Sequence, residues 1–219
     1  MIMQVFYIIR LNGRKDESHF NRAAYRSACM YFLIAGSVLF FSAHLFASFR
    51  NHETQRDIRK RISAGRYMGI FSLVSALGLA LIIWGFALSR PSPMLYQPPV
   101  WGPHFAMALM LPSLILLVAA HAPRGYIKQA LGHPMLYGIM LWSLAHLAVN
   151  AELNALIVFG SFLAYALIDR IAVIGRNTTV KRASIFGDIF AIVIGTLLYG
   201  VIIQYFHSML IGVPIYASP

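Results

Sequence analysis

The sequence predicts an all-α, polytopic membrane helix bundle, on three observations. Hydrophobic residues make up 59% of the 219 positions and charged ones only 11%, and the mean hydropathy is +0.68, a balance too apolar for a water-exposed surface. The apolar residues gather into six runs, all but the fourth long enough to cross about 30 Å of hydrocarbon as a helix. The runs also lack the alternation of barrel strands, so helices satisfy their backbone groups in lipid. These spans absorb most of the length, which makes one bundle rather than several domains.

The runs are residues 30–49, 67–88, 100–120, 134–149, 153–174 and 185–206. Before the first, residues 1–29 carry Arg10, Arg14, Lys15, Arg22 and Arg26 and are expected to be a basic extension or the product of a mis-assigned start. The apolar stretch 1–9 is too short to span and has no small-residue cleavage pattern before the charges. In the second run Ser72, Ala76 and Ala80 repeat every four residues, as Gly160 and Ala164 do in the fifth, spacings that suit close helix contact. Pro112 is expected to kink the third run. The fourth is short and starts at His133-Pro134, proline being a good first helical residue. Residues 30–175 form the core, and residues 176–219 add a loop and a final span.

Lys and Arg set the orientation, because cytoplasmic loops carry their excess. The segment 50–66 holds Arg50, Arg56, Arg59, Lys60, Arg61 and Arg66; the third loop holds Arg124 and Lys128; the fifth holds Arg170, Arg176, Lys181 and Arg182. The opposite side holds Arg90 and the leader, twelve against six, which puts both termini outside. The formal net charge of +11 therefore meets lipid headgroups rather than nucleic acid. A single cysteine, Cys29, excludes an intrachain disulfide and any multi-cysteine metal site.

Chemistry points to histidines inside apolar runs, since imidazole is costly in hydrocarbon unless it is hydrogen-bonded or coordinated. Trp142, His146 and Asn150 lie one turn apart on the fourth run, and Ser37, Phe41, His44 and Ser48 form a comparable stripe on the first. Two such stripes resemble opposite walls of a haem pocket with paired axial imidazoles. The plainer alternative is that each ring only bonds a neighbouring carbonyl or serine. His133 lies about 20 Å from His146 along one helix and cannot share an iron with it; it marks a helix entrance. His104 matches the depth of His146 better than His44 does. The basic segment 50–66 lies beside the His44 end, where guanidinium groups suit carboxylates such as haem propionates. Glu152, Asp169 and Asp188 flank helices and read as solvated ends. Phosphate loops, nucleophile elbows and paired-carboxylate patterns are absent.

Several motifs carry a resemblance. Gly65-Arg-Tyr-Met-Gly-Ile-Phe-Ser-Leu-Val-Ser-Ala-Leu-Gly-Leu, Trp84-Gly85, Trp101, Leu111-Pro112, His133-Pro-Met-Leu, Leu141-Trp-Ser-Leu-Ala-His-Leu, Asn150 and Phe159-Gly-Ser-Phe resemble the NnrU family over about residues 30 to 175. The resemblance implies an inner-membrane protein linked to nitrite and nitric oxide reduction, with zeta-carotene isomerase in the same family. It implies haem b held by His44 and His146, with His133 the family's other recurrent histidine. It leaves two roles, a redox accessory with a partner in the membrane or a cis-trans isomerase of a hydrophobic polyene. Ser143 stands where a thiolate would be needed for a cysteine ligand switch. His133-Pro-Met-Leu-Tyr-Gly is also similar to small membrane methyltransferases, but residues 170–188 lack the paired glutamates those carry.

Overall fold

The computed structural model describes residues 19–49, 58–174 and 182–211. Among them the helices are α1 (His19–Phe49), α2 (Ile58–Arg61), α3 (Ala64–Leu88), α4 (Gly102–His121), α5 (Tyr126–Leu131), α6 (Pro134–Leu147), α7 (Leu153–Ala172) and α8 (Ile185–Val201), which continues as a wider π-type coil over Ile202–Ile211. Five segments are long and apolar enough to cross a membrane: Ala28–Phe49, Ala64–Leu88, Gly102–His121, Leu153–Ala172 and Ile185–Tyr205; Pro134–Leu147 is apolar but shorter. The chain is thus an all-helical, multi-pass membrane protein, with outward faces rich in exposed Ile70, Leu73, Ile83 and Leu197. Residues 19–29 of the basic leader are continuous with the first span as one helix, and residues 1–18 lie outside the described part.

The long helices pack as neighbours in the order α3, α1, α7, α6, α4, α8. Close approach is made by glycine. A Cβ at Gly85 would lie 2.4 Å from the Leu33 nitrogen, one at Gly78 2.8 Å from the Phe40 nitrogen, and one at Gly195 2.7 Å from the Ile115 Cα. The small-residue spacings in the sequence lie on other faces. Ser72, Ala76 and Ala80 are exposed, and a Cβ at Gly160 would meet only Leu156 of its own helix, at 4.0 Å. Small-residue spacing marks a face able to pack, but lipid accepts that face equally well, so it does not say which face is used. α4 runs unbroken through Pro112.

Polar ties fix the row on the side that carries the basic loops. Asp188 accepts hydrogen bonds from the backbone nitrogens of Tyr126 at 2.8 Å and Ile127 at 3.0 Å, which meets the unsatisfied donors at a helix start. It is a clamp rather than the solvated end expected of it. Arg170 donates to the Tyr137 hydroxyl at 2.9 Å, joining α7 to α6, and deeper in the bundle Ser113 donates to the Gly138 carbonyl at 2.8 Å, joining α4 to α6.

The opposite side is closed by two loops. Leu95 N bonds Ala151 O at 2.8 Å and Leu153 N bonds Pro93 O at 2.9 Å. Asn154, fully buried, donates to the Phe86 carbonyl and Ser89 Oγ at 3.4 and 3.3 Å, and its own amide reaches Ser92 Oγ at 3.3 Å.

Gly85→Val should lower stability by about 1–3 kcal/mol through overpacking against Leu33, read as a lower apparent melting temperature in detergent. Gly69→Ala, with no atom within 4 Å of its Cβ, should be neutral or slightly stabilising. Equal effects at the two sites would refute glycine-mediated contact between α1 and α3.

Candidate functional site

α7 forms the floor of a trough whose walls are α1 and α6. Residues three apart on a helix share a face, so Phe159, Phe162 and Tyr165 line up along α7. Phe162 bridges both walls: its ring lies 4.9 Å from Phe41 and 5.8 Å from Phe40 on α1, and 5.3 Å from Trp142 on α6. His44 stacks on Phe40 at 4.1 Å and meets Phe71 of α3 at 5.0 Å and Tyr165 at 5.7 Å. His146 stacks on Phe159 at 4.5 Å and meets Trp142 at 4.9 Å.

Both rings are held in the same way. His44 Nδ1 lies 2.8 Å from the Phe40 carbonyl and His146 Nδ1 2.8 Å from the Trp142 carbonyl, each one turn back. A carbonyl only accepts, so Nδ1 carries the proton and Nε2 keeps its lone pair. That is the arrangement in which a backbone carbonyl orients an imidazole for a metal. The plain hydrogen bond and ligand competence are therefore compatible, because each uses a different nitrogen.

His44 and His146 meet α7 at different levels. Their α7 neighbours, Tyr165 and Phe159, are six residues apart, about 9 Å along the axis, and Phe40, Phe162 and Trp142 intervene. Each imidazole is fit to be a ligand singly, whereas the pair is offset in depth. His133 stands at the start of α6, immediately before Pro134, as its sequence context suggested. His104 is exposed in the first turn of α4. His207, on the coil after α8, is within electrostatic reach of His146, a proximity the sequence did not signal. Among the described residues no group of three or more His, Cys, Asp or Glu side chains is arranged to hold a metal ion.

Polar groups flank the trough. Tyr165 donates to Asp169 Oδ2 at 3.1 Å, Ser48 hydrogen-bonds to the same tyrosine, and Ser48 also donates to the His44 carbonyl at 3.0 Å. Asp169 is thus engaged with the trough rather than solvated, and its Oδ1 is buried with no hydrogen-bond partner. Ser143, fully buried, likewise has an unpartnered Oγ. At the other end Asn150 Nδ2 donates to the His146 carbonyl at 2.8 Å. The Tyr96 hydroxyl is shared between the Leu147 carbonyl and the Asn150 carbonyl, the latter at 3.0 Å. Burial pushes that phenol above its ordinary range, which keeps it a donor. Asn154, Tyr96, Phe162 and Tyr165 went unseen in the sequence, where lone residues of these types carry no spacing signal.

Residues 32–215 match the profile of the NnrU protein family. The chain belongs to the NnrU family. The match reaches residue 215 and so takes in the last helix as well as the trough. No curated protein and no solved structure matches this NnrU-family chain.

Tyr96→Phe should free the 147–150 turn at a cost of about 1–3 kcal/mol for the carbonyls left unpaired. Amide exchange of peptides covering residues 147–152 should then quicken at least about ten-fold, while the middle of α3 is unchanged. Unchanged exchange would mean that Tyr96 does not hold the turn.

Proposed function

We propose that this NnrU-family protein binds haem b through His146 and supports nitrite and nitric oxide reduction in the bacterial inner membrane, with its basic loops cytoplasmic and its termini periplasmic. One observation carries the reading. His146 is half-buried among apolar side chains, its Nδ1–H fixed by the Trp142 carbonyl, its ring stacked on Phe159 and its Nε2 left with a lone pair. A b-type haem supplies one-electron chemistry when bound. The chain's own residues orient the imidazole, exclude water with Phe159, Phe162 and Trp142, and hold a proton at Tyr165 beside Asp169. His44, oriented in the same way but about 9 Å away in depth, is the second candidate, and Arg61 and Arg66, beside the start of α3, lie on its side.

A second reading is favoured by the aromatic lining. Phe40, Phe162 and Trp142 make a continuous aromatic run from α1 across α7 to α6, an apolar lining whose chemistry suits a hydrophobic polyene and hence a cis-trans isomerase. Incubating haem-loaded, reduced protein with a cis polyene and separating the products by chromatography distinguishes the roles: isomerised product supports the enzyme, and its absence with intact haem supports the accessory protein.

Protein purified from cells supplied with haem should show a Soret band that shifts with dithionite. His146→Ala should abolish the band, and His44→Ala should leave it. No band in the parent protein sinks the proposal, whereas loss of the band in both variants would restore the His44 and His146 pair as joint ligands.

A further inference from the structure

A groove on the bilayer-facing surface lies outside the trough, where the end of α1 meets the start of α3. It has a volume of about 250 Å³ and is lined without polar surface by Phe46, Ile58, Ile62, Tyr67, Phe71 and Val74. Ile58 and Ile62 are one turn apart, with the Ile62 amide bonded to the Ile58 carbonyl at 3.1 Å. The segment Ile-Arg-Lys-Arg-Ile therefore presents isoleucine to the groove from an otherwise cationic turn, the pattern of a short interfacial helix. Arg61 and Arg66 are exposed beside it. Residues 58–67 carry Arg59, Lys60, Arg61 and Arg66 and no acidic residue, so the described chain at this edge is cationic.

We infer that this groove is a binding site for an anionic phospholipid, one acyl chain lying along Phe71 and Val74 and the headgroup phosphate meeting Arg61 and Arg66. Two independent features meet here. An apolar channel at the membrane edge fits a hydrocarbon chain of any lipid, and the cationic rim selects the charge of the headgroup. A zwitterionic lipid satisfies only the first, and free phosphate only the second. Basic residues near a membrane surface typically give several-fold preference each for anionic lipid, so two arginines predict a preference of roughly ten-fold or more.

The test uses the full chain in detergent, titrated with phosphatidylglycerol, phosphatidylcholine or inorganic phosphate and followed by native mass spectrometry and thermal unfolding. Phosphatidylglycerol should bind at least about ten-fold tighter than phosphatidylcholine, and phosphate alone should not shift the melting temperature. R61Q/R66Q should bring the two lipids together, while K181Q/R182Q, which removes equal charge from another basic loop, should not. Val74→Trp should weaken both lipids by filling the groove. Equal binding of the two lipids to the parent protein, or a preference that survives R61Q/R66Q, overturns the inference. A stabilising response to phosphate alone would assign the rim to free anions instead.

Discussion

α6 is too short to cross the membrane, and much of the arrangement answers to that shortfall. Fourteen residues rise about 21 Å, which leaves roughly 9 Å of a 30 Å hydrocarbon layer to be crossed by chain that is not helical. Irregular backbone at such depth survives only where protein meets its hydrogen-bonding groups. Here the Ala148 amide bonds Leu144, those of Val149 and Asn150 bond His146, and Tyr96 reaches back to two carbonyls of the turn. The loop that supplies Tyr96 is itself held by Asn154 and by the backbone pairing of Leu95 with Ala151. The end of α6 is thereby fixed inside the bundle, and His146, one residue before that end, is fixed with it.

The same scarcity of partners explains how the histidines are held. In hydrocarbon the acceptor within easiest reach of a helical imidazole is the carbonyl one turn earlier, and His44, His121 and His146 all use it. Satisfying Nδ1 in this way lowers the cost of burying the ring and at the same time sets its tautomer and direction. A bond that the bilayer demands on energetic grounds thus presents Nε2 in a defined orientation, so a folding constraint and competence as a ligand arise together.

What the sequence made legible follows from what lipid does to composition. The spans were readable within a few residues because hydrocarbon tolerates long apolar runs and little else. The stripe Ser37, Phe41, His44 and Ser48 was readable because polar residues in a span turn inward, and Ser37, Phe41 and Ser48 are indeed buried. The apolar faces were not. With lipid outside and protein inside equally hydrocarbon-like, Ser72, Ala76 and Ala80 look as fit for contact as Gly78 and Gly85, and only the neighbouring helix decides. The depth offset between His44 and His146 was visible from helix rise alone, but the ring standing between their walls was not. Phe162 is one phenylalanine among fifteen, and its position depends on α7 lying between α1 and α6, an order that no local pattern encodes.

That order also connects the two sides of α1. Phe71 lines the groove between α1 and α3 and, 5.0 Å from its ring, touches His44 at the edge of the trough. Tyr67 stacks on Phe71 at 6.4 Å, and Phe40 stacks on the imidazole at 4.1 Å. Well-packed rings transmit displacement because they have no free volume to absorb it. Phe71 thus stands between the lipid-facing groove and His44, whereas His146 is held by α6 and α7 at another depth. The two histidines, whose unequal depth helix rise already indicates, thus occupy different surroundings, one in contact with a wall shared with the lipid-facing groove and one near the end of α6.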